Sequence, residues 1–261
     1  MRFVDTHCHL NLFDNQEELE NVINRARQAG FSEILIPGVD YQSSQDAIKL
    51  CETYPELYAA VGMHPNSALE WNERSFYDFQ KLAKHEKVVA IGEIGLDFYR
   101  DRTPHQKQKD VFQRQLELAE LENLPVIVHS RESLDTSLAI VKEWNPSNRK
   151  INGVFHSFDG SEKMLETAIE SNFMISFTGV LTYKSASNLR KVATSISLSN
   201  LLLETDAPFL SPHPHRGKRN EPSFMVHTAV KLAELHNISL SKIAEITSQN
   251  SDRIFSWRIN A

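Results

Sequence analysis

Short apolar segments recur along the whole chain, and stretches with helical periodicity lie between them. The segments are mostly continuous apolar runs, which is typical of parallel strands covered on both faces. Eight such strands, spaced by roughly 20–40 residues with helices between them, indicate an α/β protein with a (β/α)8 TIM-barrel fold. A doubly wound open sheet is the alternative, but the sequence lacks a Gly-x-Gly-x-x-Gly turn. The predicted strands are Phe3–Asp5, Glu33–Pro37, Tyr58–Gly62, Val88–Glu93, Val126–His129, Gly153–His156, Phe173–Phe177 and Leu201–Glu204.

The predicted helices carry apolar side chains at i, i+3, i+4 and i+7, a spacing that lines one helix face. This stripe falls at Leu19, Val22, Ile23 and Ala26, and again at Val226, Ala229, Val230 and Ala233. The length of 261 residues suits either two small domains or one undivided barrel. Because no linker, low-complexity tract or internal repeat interrupts the alternation, we expect residues 1–261 to form a single domain.

The overall charge is negative, with 28 basic and 34 acidic residues and a formal net charge of −6. Proteins that attract nucleic acid by general electrostatics are usually basic, so a phosphate substrate would have to be held locally by bound metal or by a basic loop. We expect a cytoplasmic protein without membrane association, because the chain shows no secretory leader and no apolar stretch of membrane-spanning length. Cys8 and Cys51 are too few for a disulfide scaffold, and reduced thiols are expected.

His7 and His9 lie directly after the first predicted strand. In a β-strand, residues i and i+2 point to the same face, so this His-x-His pair places two imidazoles side by side. Imidazole is the commonest protein ligand for divalent transition metals, and two converging imidazoles form half of a metal site. The alternative is that the two histidines are simply polar residues at the end of a strand. Further ligand-type residues downstream argue for the metal site instead.

Four more ligand-type residues stand at or just past the ends of other predicted strands: Glu93, His129, His156 and Asp206. The C-terminal ends of barrel strands converge on the face where active sites are built, so we expect all six side chains to meet there. Histidine and carboxylate ligands together suit Zn²⁺, Mn²⁺ or a mixed nitrogen and oxygen site. Six protein ligands exceed the needs of one tetrahedral ion, which favours two divalent ions bridged by a carboxylate. Structural zinc sites usually include cysteines and close with four ligands, so the set argues against a purely structural metal.

Six motifs span nearly the whole chain: DTHCHL at 5–10, VGMHP at 61–65, GEIGLDFY at 92–99, LPVIVHSRE at 124–132, HSFDG at 156–160 and LLLETDAPFLSPHPHRGKRNEP at 201–222. With these motifs the chain resembles the TatD family of metal-dependent deoxyribonucleases, within the amidohydrolase superfamily. The resemblance implies a (β/α)8 barrel, dependence on Mg²⁺ or Mn²⁺, and nuclease activity. It also implies, as metal ligands, His7, His9, Glu93, His129, His156 and Asp206. The chain departs from the usual His-Cys-Phe-Thr-Gly motif at Ser157 and Asp159, which places an extra carboxylate near a site meant for phosphate.

Glu93 and Asp206 are the predicted catalytic residues. Glu93 is suited to bridging two ions and lowering their mutual repulsion. Asp206 can bind one ion while it accepts a proton from the attacking water, whose pKa a metal pair lowers. For Asp206 the alternative is a capping role, because Thr205 and Asp206 also form a turn-type pair after the last strand.

Four further residues near the strand ends are candidate substrate contacts. His64 ends a strand and can contact substrate, orient a ligand or be purely structural. Asp97 can hydrogen-bond a ligand histidine, and Tyr99 can stack on a base. Arg131 can hold a phosphate oxygen or pair with a neighbouring carboxylate.

Arg216 and Lys218 belong to what the sequence suggests is the only compact basic loop near a predicted strand end. The loop can clamp a DNA backbone, with an ordinary solvated loop as the alternative. The predicted function is a deoxyribonuclease with exonucleolytic cleavage, with DNA, single-stranded DNA included, as substrate and no obligate protein partner. The alternative is another hydrolase on the same scaffold that acts on a small amide, lactone or phosphoester, since fold does not settle substrate.

Overall fold

A computed structural model describes residues 1–13, 15–100, 102–144, 146, 150–255 and 257. Eight parallel strands follow one another in chain order within one sheet. The first and last strands also meet, because the Thr6 backbone N–H donates to the Leu203 carbonyl at 3.2 Å and Cys8 forms a parallel bridge with Ala207. The sheet is therefore a nearly closed barrel, and the predicted (β/α)8 fold is confirmed.

The strands begin and end close to the predicted limits. They are β1 (Phe3–Asp5), β2 (Phe31–Pro37), β3 (Leu57–Val61), β4 (Val88–Asp97), β5 (Val126–Arg131), β6 (Gly153–Phe155), β7 (Phe173–Phe177) and β8 (Leu201–Leu203). The α-helices of the described residues are α1 (Gln16–Ala29), α2 (Tyr41–Thr53), α3 (Ser75–Ala83), α4 (His105–Leu121), α5 (Leu134–Trp144), α6 (Glu162–Glu170), α7 (Ser187–Ser195), α8 (Met225–His236) and α9 (Leu240–Ile254). Short 3-10 turns at Leu10–Leu12 and Pro65–Glu70 follow β1 and β3 on the side of the barrel where the strands end.

The helices cover the outside of the barrel with their apolar faces. The stripe predicted for α1 is buried at all four positions, and the helix ends at Gly30, whose φ of 92° is the left-handed conformation that glycine adopts without strain. The stripe predicted for α8 is partly wrong. Val230 is 37% exposed, and Thr228 and Leu232 are buried instead. None of the helices among the described residues has both the length and the apolar character needed to cross a bilayer.

The inside of the barrel is filled by one or two apolar side chains from every strand. They are Val4, Leu35, Tyr58, Ala60, Val89, Ala90, Ile127, Val154, Met174 and Leu202. Phe255 and Trp257, which follow α9, pack against this layer, and the Trp257 ring lies 5.0 Å from that of Tyr58. They close the end of the barrel where the strands begin, which leaves the opposite end for the polar side chains.

Strand β4 is longer than predicted and irregular in the middle. It continues to Asp97, so Glu93 lies within the strand and not at its end. The pairing of β4 with β5 shifts register between Ile91 and Ile94, and both isoleucines pack in the outer apolar layer. An extra residue therefore lies between them, and the shift turns Glu93 toward the barrel axis.

Candidate metal centre

The side chains of His7, His9, Glu93 and Asp206 converge at the C-terminal end of the barrel. The Nε2 atoms of the two histidines lie 3.2 Å apart. Glu93 Oε2 lies 3.4 Å from Nε2 of His7 and 3.6 Å from Nε2 of His9. Asp206 Oδ1 lies 3.7 and 3.5 Å from the same two nitrogens. We call these four residues the first ligand group.

The spacing of these four atoms matches the coordination sphere of a small divalent ion. Ligand atoms about 2.1 Å from a tetrahedral Zn²⁺ ion lie about 3.4 Å from one another. The five distances that involve an imidazole nitrogen, out of the six between these four atoms, all fall between 3.2 and 3.7 Å. Two imidazole nitrogens and two carboxylate oxygens are also a donor set that Zn²⁺ and Mn²⁺ accept. The first ligand group therefore fits a divalent metal ion.

A second group of imidazoles surrounds the other oxygen of Glu93. His129 Nδ1 lies 2.7 Å and His156 Nε2 3.0 Å from Glu93 Oε1, and the two nitrogens are 3.3 Å apart. His64 Nε2 lies 3.7 Å from the same oxygen. We call Glu93, His64, His129 and His156 the second ligand group. The structure thus brings all six sequence-predicted ligands together, adds His64 to them, and presents one oxygen of Glu93 to each group.

Hydrogen bonds between the ends of β1 and β8 hold the first ligand group in place. The Asp5 carboxylate is fully buried and accepts from Thr205 N at 3.0 Å, Thr205 Oγ1 at 2.6 Å and His7 N at 3.2 Å. The Asp206 backbone N–H donates to the His7 carbonyl at 2.8 Å. Asp206 itself has a φ of 55°, and its carboxylate faces the imidazoles and caps none of the described helices.

The Asp97 carboxylate lies beside the ring nitrogen of His129 that does not face Glu93. Its Oδ2 lies 3.5 Å from His129 Nε2 and accepts from Asn66 Nδ2 at 3.0 Å. Its Oδ1 accepts from the backbone N–H groups of Tyr99 and Arg100, each at 3.0 Å. Burial opposes the charge, but the hydrogen bonds, that of His129 first, hold the pKa of the Asp97 carboxyl well below its usual range. This carboxylate fixes which ring nitrogen of His129 faces Glu93.

The Glu204 carboxylate lies beside the ring nitrogen of His156 that does not face Glu93. Glu204 was not predicted as a site residue from the sequence. Its buried Oε1 lies 3.4 Å from His156 Nδ1 and accepts from the Ser157 backbone N–H at 2.5 Å. The available signal was an acidic residue at the end of an apolar strand, two positions before Asp206. Ser157 and Asp159, the two departures from the family motif, line the space above the cluster.

Burial and neighbouring charges shift the pKa values of the imidazoles in different directions. Burial opposes the charge of Glu93, but the imidazoles around it, His156 first, hold the pKa of its carboxyl well below its usual range. Burial also opposes a charge on His156 and His129, yet neighbouring carboxylates raise the pKa of both rings, that of His156 well above 6.5. For His7 and His64 burial dominates, because it lowers the pKa of His7 and takes that of His64 to about 3. In the metal-free protein, the pKa values of His129 and His156 therefore lie above those of His7 and His64.

A cavity of about 720 Å³ lies above the two ligand groups, and all of their residues except His7 line it. Arg100 and Arg102 after β4 and Arg131 at the end of β5 line one side of it, and Leu12 after β1 and Phe209 after β8 line another. In a barrel of eight strands in chain order, the ends of β4 and β5 lie across from those of β8 and β1. The cavity therefore has a cationic wall that faces an apolar wall.

The remaining predicted substrate contacts lie at or beyond the rim of the cavity. Tyr99 is 57% exposed, and the Arg131 guanidinium carbon lies 3.9 Å from its ring centroid. The Arg216 guanidinium lies over the Tyr183 ring at 4.3 Å. Among the described residues that line the cavity, neither Arg216 nor Lys218 is found.

The 216–219 loop does not supply the arginines that line the cavity. Arg100 and Arg102, which were not predicted from the sequence, come after β4, and both line the cavity. Arg219, in contrast, pairs with Glu18 on α1 at 3.2 Å and donates to the Leu12 carbonyl at 3.0 Å. Arg219 therefore connects the 216–219 loop to α1 and to the segment after β1, whereas Arg100 and Arg102 line the cavity above the ligand groups.

Comparison with known proteins gives matches along the whole chain. The family model described as TatD related DNase matches residues 4–256. YabD of Bacillus subtilis, named as an uncharacterized metal-dependent hydrolase, is 41% identical over 256 residues, which cover 98% of this chain and 99% of YabD. The 3′-5′ ssDNA/RNA exonuclease TatD of Erwinia tasmaniensis is 35% identical over 254 residues, which cover 94% of this chain and 97% of that protein.

The fold is also similar to solved structures. The crystal structure of YjjV, a TatD homolog from Escherichia coli K12, matches with a TM-score of 0.91 at 33% sequence identity. The match covers 97% of this chain and 98% of YjjV. The similarity therefore extends over the complete barrel, including all the strand ends that carry the two ligand groups.

Proposed function

The chain belongs to the TatD-related DNase family and is a metal-dependent hydrolase, and we propose that it removes nucleotides from the 3′ end of single-stranded DNA. The observation that carries this proposal is the carboxylate of Glu93, which is shared between two groups of ligand atoms on the floor of a cavity lined by three arginines. The name of the Erwinia relative, a 3′-5′ ssDNA/RNA exonuclease, supports the polarity and the single-stranded substrate.

We infer that two divalent cations, Mg²⁺, Mn²⁺ or Zn²⁺, are held with Glu93 between them. His7, His9 and Asp206 would complete one position, and His129 and His156 the other. Bound divalent cations supply a nucleophilic water at neutral pH and neutralise charge on the phosphoryl oxygens. The protein contributes the orientation of the ligands, through Asp97 and Glu204 among others, and the cavity that encloses the scissile bond.

Asp206 is the residue that we propose as the proton acceptor. Burial opposes its charge, but the neighbouring histidines, His9 first, lower the pKa of its carboxyl below the usual value. It is therefore ionised at neutral pH, and it lines the cavity beside the first ligand group. Arg100, Arg102 and Arg131 face the negative charge of the strand that is being cut.

The proposal is tested by reconstitution of the metal-stripped protein with Mg²⁺, Mn²⁺ or Zn²⁺ on 5′-end-labelled single- and double-stranded oligonucleotides. We expect a ladder of products shortened from the 3′ end, faster on single strands and absent with chelator. Cleavage that persists after removal of the metal would contradict the proposal. Turnover of a small amide, lactone or phosphoester without any cleavage of oligonucleotides would establish the alternative hydrolase function.

The two ligand groups should release different numbers of protons when metal binds. In the metal-free protein, burial lowers the pKa of His7, whereas carboxylates raise the pKa of His156 well above 6.5 although burial opposes its charge. A metal ion must displace the proton of His156, so the affinity of the second group should rise with pH until that imidazole is neutral, and the affinity of the first should change less. Calorimetric titration with Mn²⁺ in two buffers of different ionisation enthalpy counts the protons of each step. Equal release in both steps would contradict the assignment.

The arginines after β4 should contribute more to nucleic-acid affinity than the 216–219 loop does. Substitution of Arg100 and Arg102 by alanine removes two cavity-lining charges, so KM for an oligonucleotide should rise at least about 10-fold. The slope of log affinity against log salt should fall by about 0.7 for each phosphate that the variant no longer neutralises. The matched variant carries Arg216→Ala and Lys218→Ala. If it shows the larger change in KM and salt slope, the 216–219 loop is the main clamp of the backbone.

A further inference from the structure

Phe209 is a large apolar side chain that the chemistry of hydrolysis does not use. It lies three residues after Asp206, lines the cavity, and is 52% exposed. Leu12, at 40% exposure, lines the same wall. Exposed apolar side chains that stand together in a cavity commonly mark a surface that a ligand covers.

The backbone of Phe209 is fixed relative to the first ligand group. Its N–H donates to the Asp206 carbonyl at 2.8 Å. The side chain of Asn220, only 1% exposed, donates to the carbonyls of both Thr205 and Phe209, at 2.9 and 2.6 Å. The Phe209 ring meets the His9 ring edge-on, with centroids 6.2 Å apart and an interplanar angle of 71°. One face of this ring can therefore meet a ligand without a rearrangement of the backbone, which keeps the entropic cost of binding small.

The wall opposite Phe209 carries the complementary chemistry. Arg100, Arg102 and Arg131 line it, and guanidinium groups bind phosphate oxygens. A ligand that fills the cavity should therefore have an anionic end and a flat apolar end, with its reacting bond over the ligand groups. A nucleotide has this layout, and the cavity volume of about 720 Å³ is within the range of small-molecule sites.

We propose that Phe209 is the stacking platform for the base of the terminal nucleotide that is removed. The proposal rests on the proposed nuclease function and adds the residue that selects an unpaired end. In a duplex, the terminal base is paired and stacked on its neighbour, and the pair must open before that base can reach Phe209. Aromatic stacking tolerates all four bases, because each has a π-face, so the platform should favour single strands without a strong sequence preference.

The test combines enzyme variants with modified substrates. Phe209→Ala should raise KM roughly 10-fold for a single-stranded oligonucleotide with a normal 3′ nucleotide. Phe209→Trp should keep KM near that of the wild type, and Phe209→Leu, which is apolar but has no ring, should resemble the alanine variant. On an oligonucleotide whose 3′ residue lacks a base, the wild type and Phe209→Ala should have the same KM, because the stacking partner is already absent.

The matched control is Tyr77→Ala, which removes an aromatic ring of 66% exposure that does not line the cavity. This variant should keep the KM of the wild type on both substrates. Equal KM values for the wild type and Phe209→Ala on the normal oligonucleotide would overturn the proposal, and so would an equal loss on the abasic one. If the wild type itself cleaves no oligonucleotide with any metal, the proposed function fails first, which is a distinguishable result.

Discussion

Replacement of Glu93 by glutamine should reduce hydrolysis of a single-stranded oligonucleotide by at least about 1,000-fold, since divalent cations in such sites lower the barrier by several kcal/mol. Glutamine keeps the shape of the side chain but removes the charge that faces imidazoles of both ligand groups. Occupancy of both metal positions should therefore fall together. Activity and metal content of the purified variant, measured after saturation with Mn²⁺ and desalting, test this expectation.

The matched control is Glu166→Gln, the same chemical change on the exposed face of α6. It should leave activity and metal content unchanged. Circular dichroism should show that Glu93→Gln retains the barrel, because the apolar layers inside and outside the sheet are untouched. A folded Glu93→Gln variant with activity near that of the wild type would contradict the role of Glu93 as the shared ligand.

Replacement of Asp206 by asparagine should lower kcat about 100- to 1,000-fold, the size of a general-base contribution. Asp206 has a φ of 55°, a conformation that asparagine adopts at least as readily as aspartate and that alanine adopts rarely. The asparagine variant therefore isolates the loss of charge, whereas alanine would add backbone strain.

The metal content distinguishes Asp206 from Glu93. The Asp206 carboxylate lies 3.7 and 3.5 Å from Nε2 of His7 and His9, and His156 of the second ligand group lies within 4.8 Å of it. The Asp206→Asn variant should therefore lose more affinity at the first ligand group than at the second. Loss of both ions in this variant, or retention of full activity, would show that the division into two groups is wrong.

The barrel could be predicted from the sequence because its strands are mostly continuous apolar runs, largely buried, and separated by helices of regular periodicity. Which face of α8 is buried could not be predicted equally well. Thr228 is a polar residue that is buried by packing, and the stripe of valines and alanines in that segment fits two neighbouring faces of the helix. Tertiary packing decides between such faces, and hydrophobic periodicity alone does not.

The candidate site could be predicted as far as its ligands follow strand ends. Glu93 is predicted as a ligand at the end of the strand Val88–Glu93, whereas it lies inside β4. The difference could not be predicted, because a register shift within a strand leaves no clear mark in the sequence. Glu204 and Arg102 were missed for a different reason. Their relation to the site depends on contacts between segments far apart in the chain, such as Glu204 with His156, and no local spacing reports those contacts.

Diffraction from crystals soaked in Mn²⁺, with anomalous scattering measured near the manganese absorption edge, tests the central claim most directly. We expect two anomalous peaks that share Glu93 as a ligand, one beside His7 and His9 and the other beside His129 and His156. A single peak at saturating Mn²⁺, or two peaks of which only one contacts Glu93, would contradict a dinuclear centre built on this carboxylate.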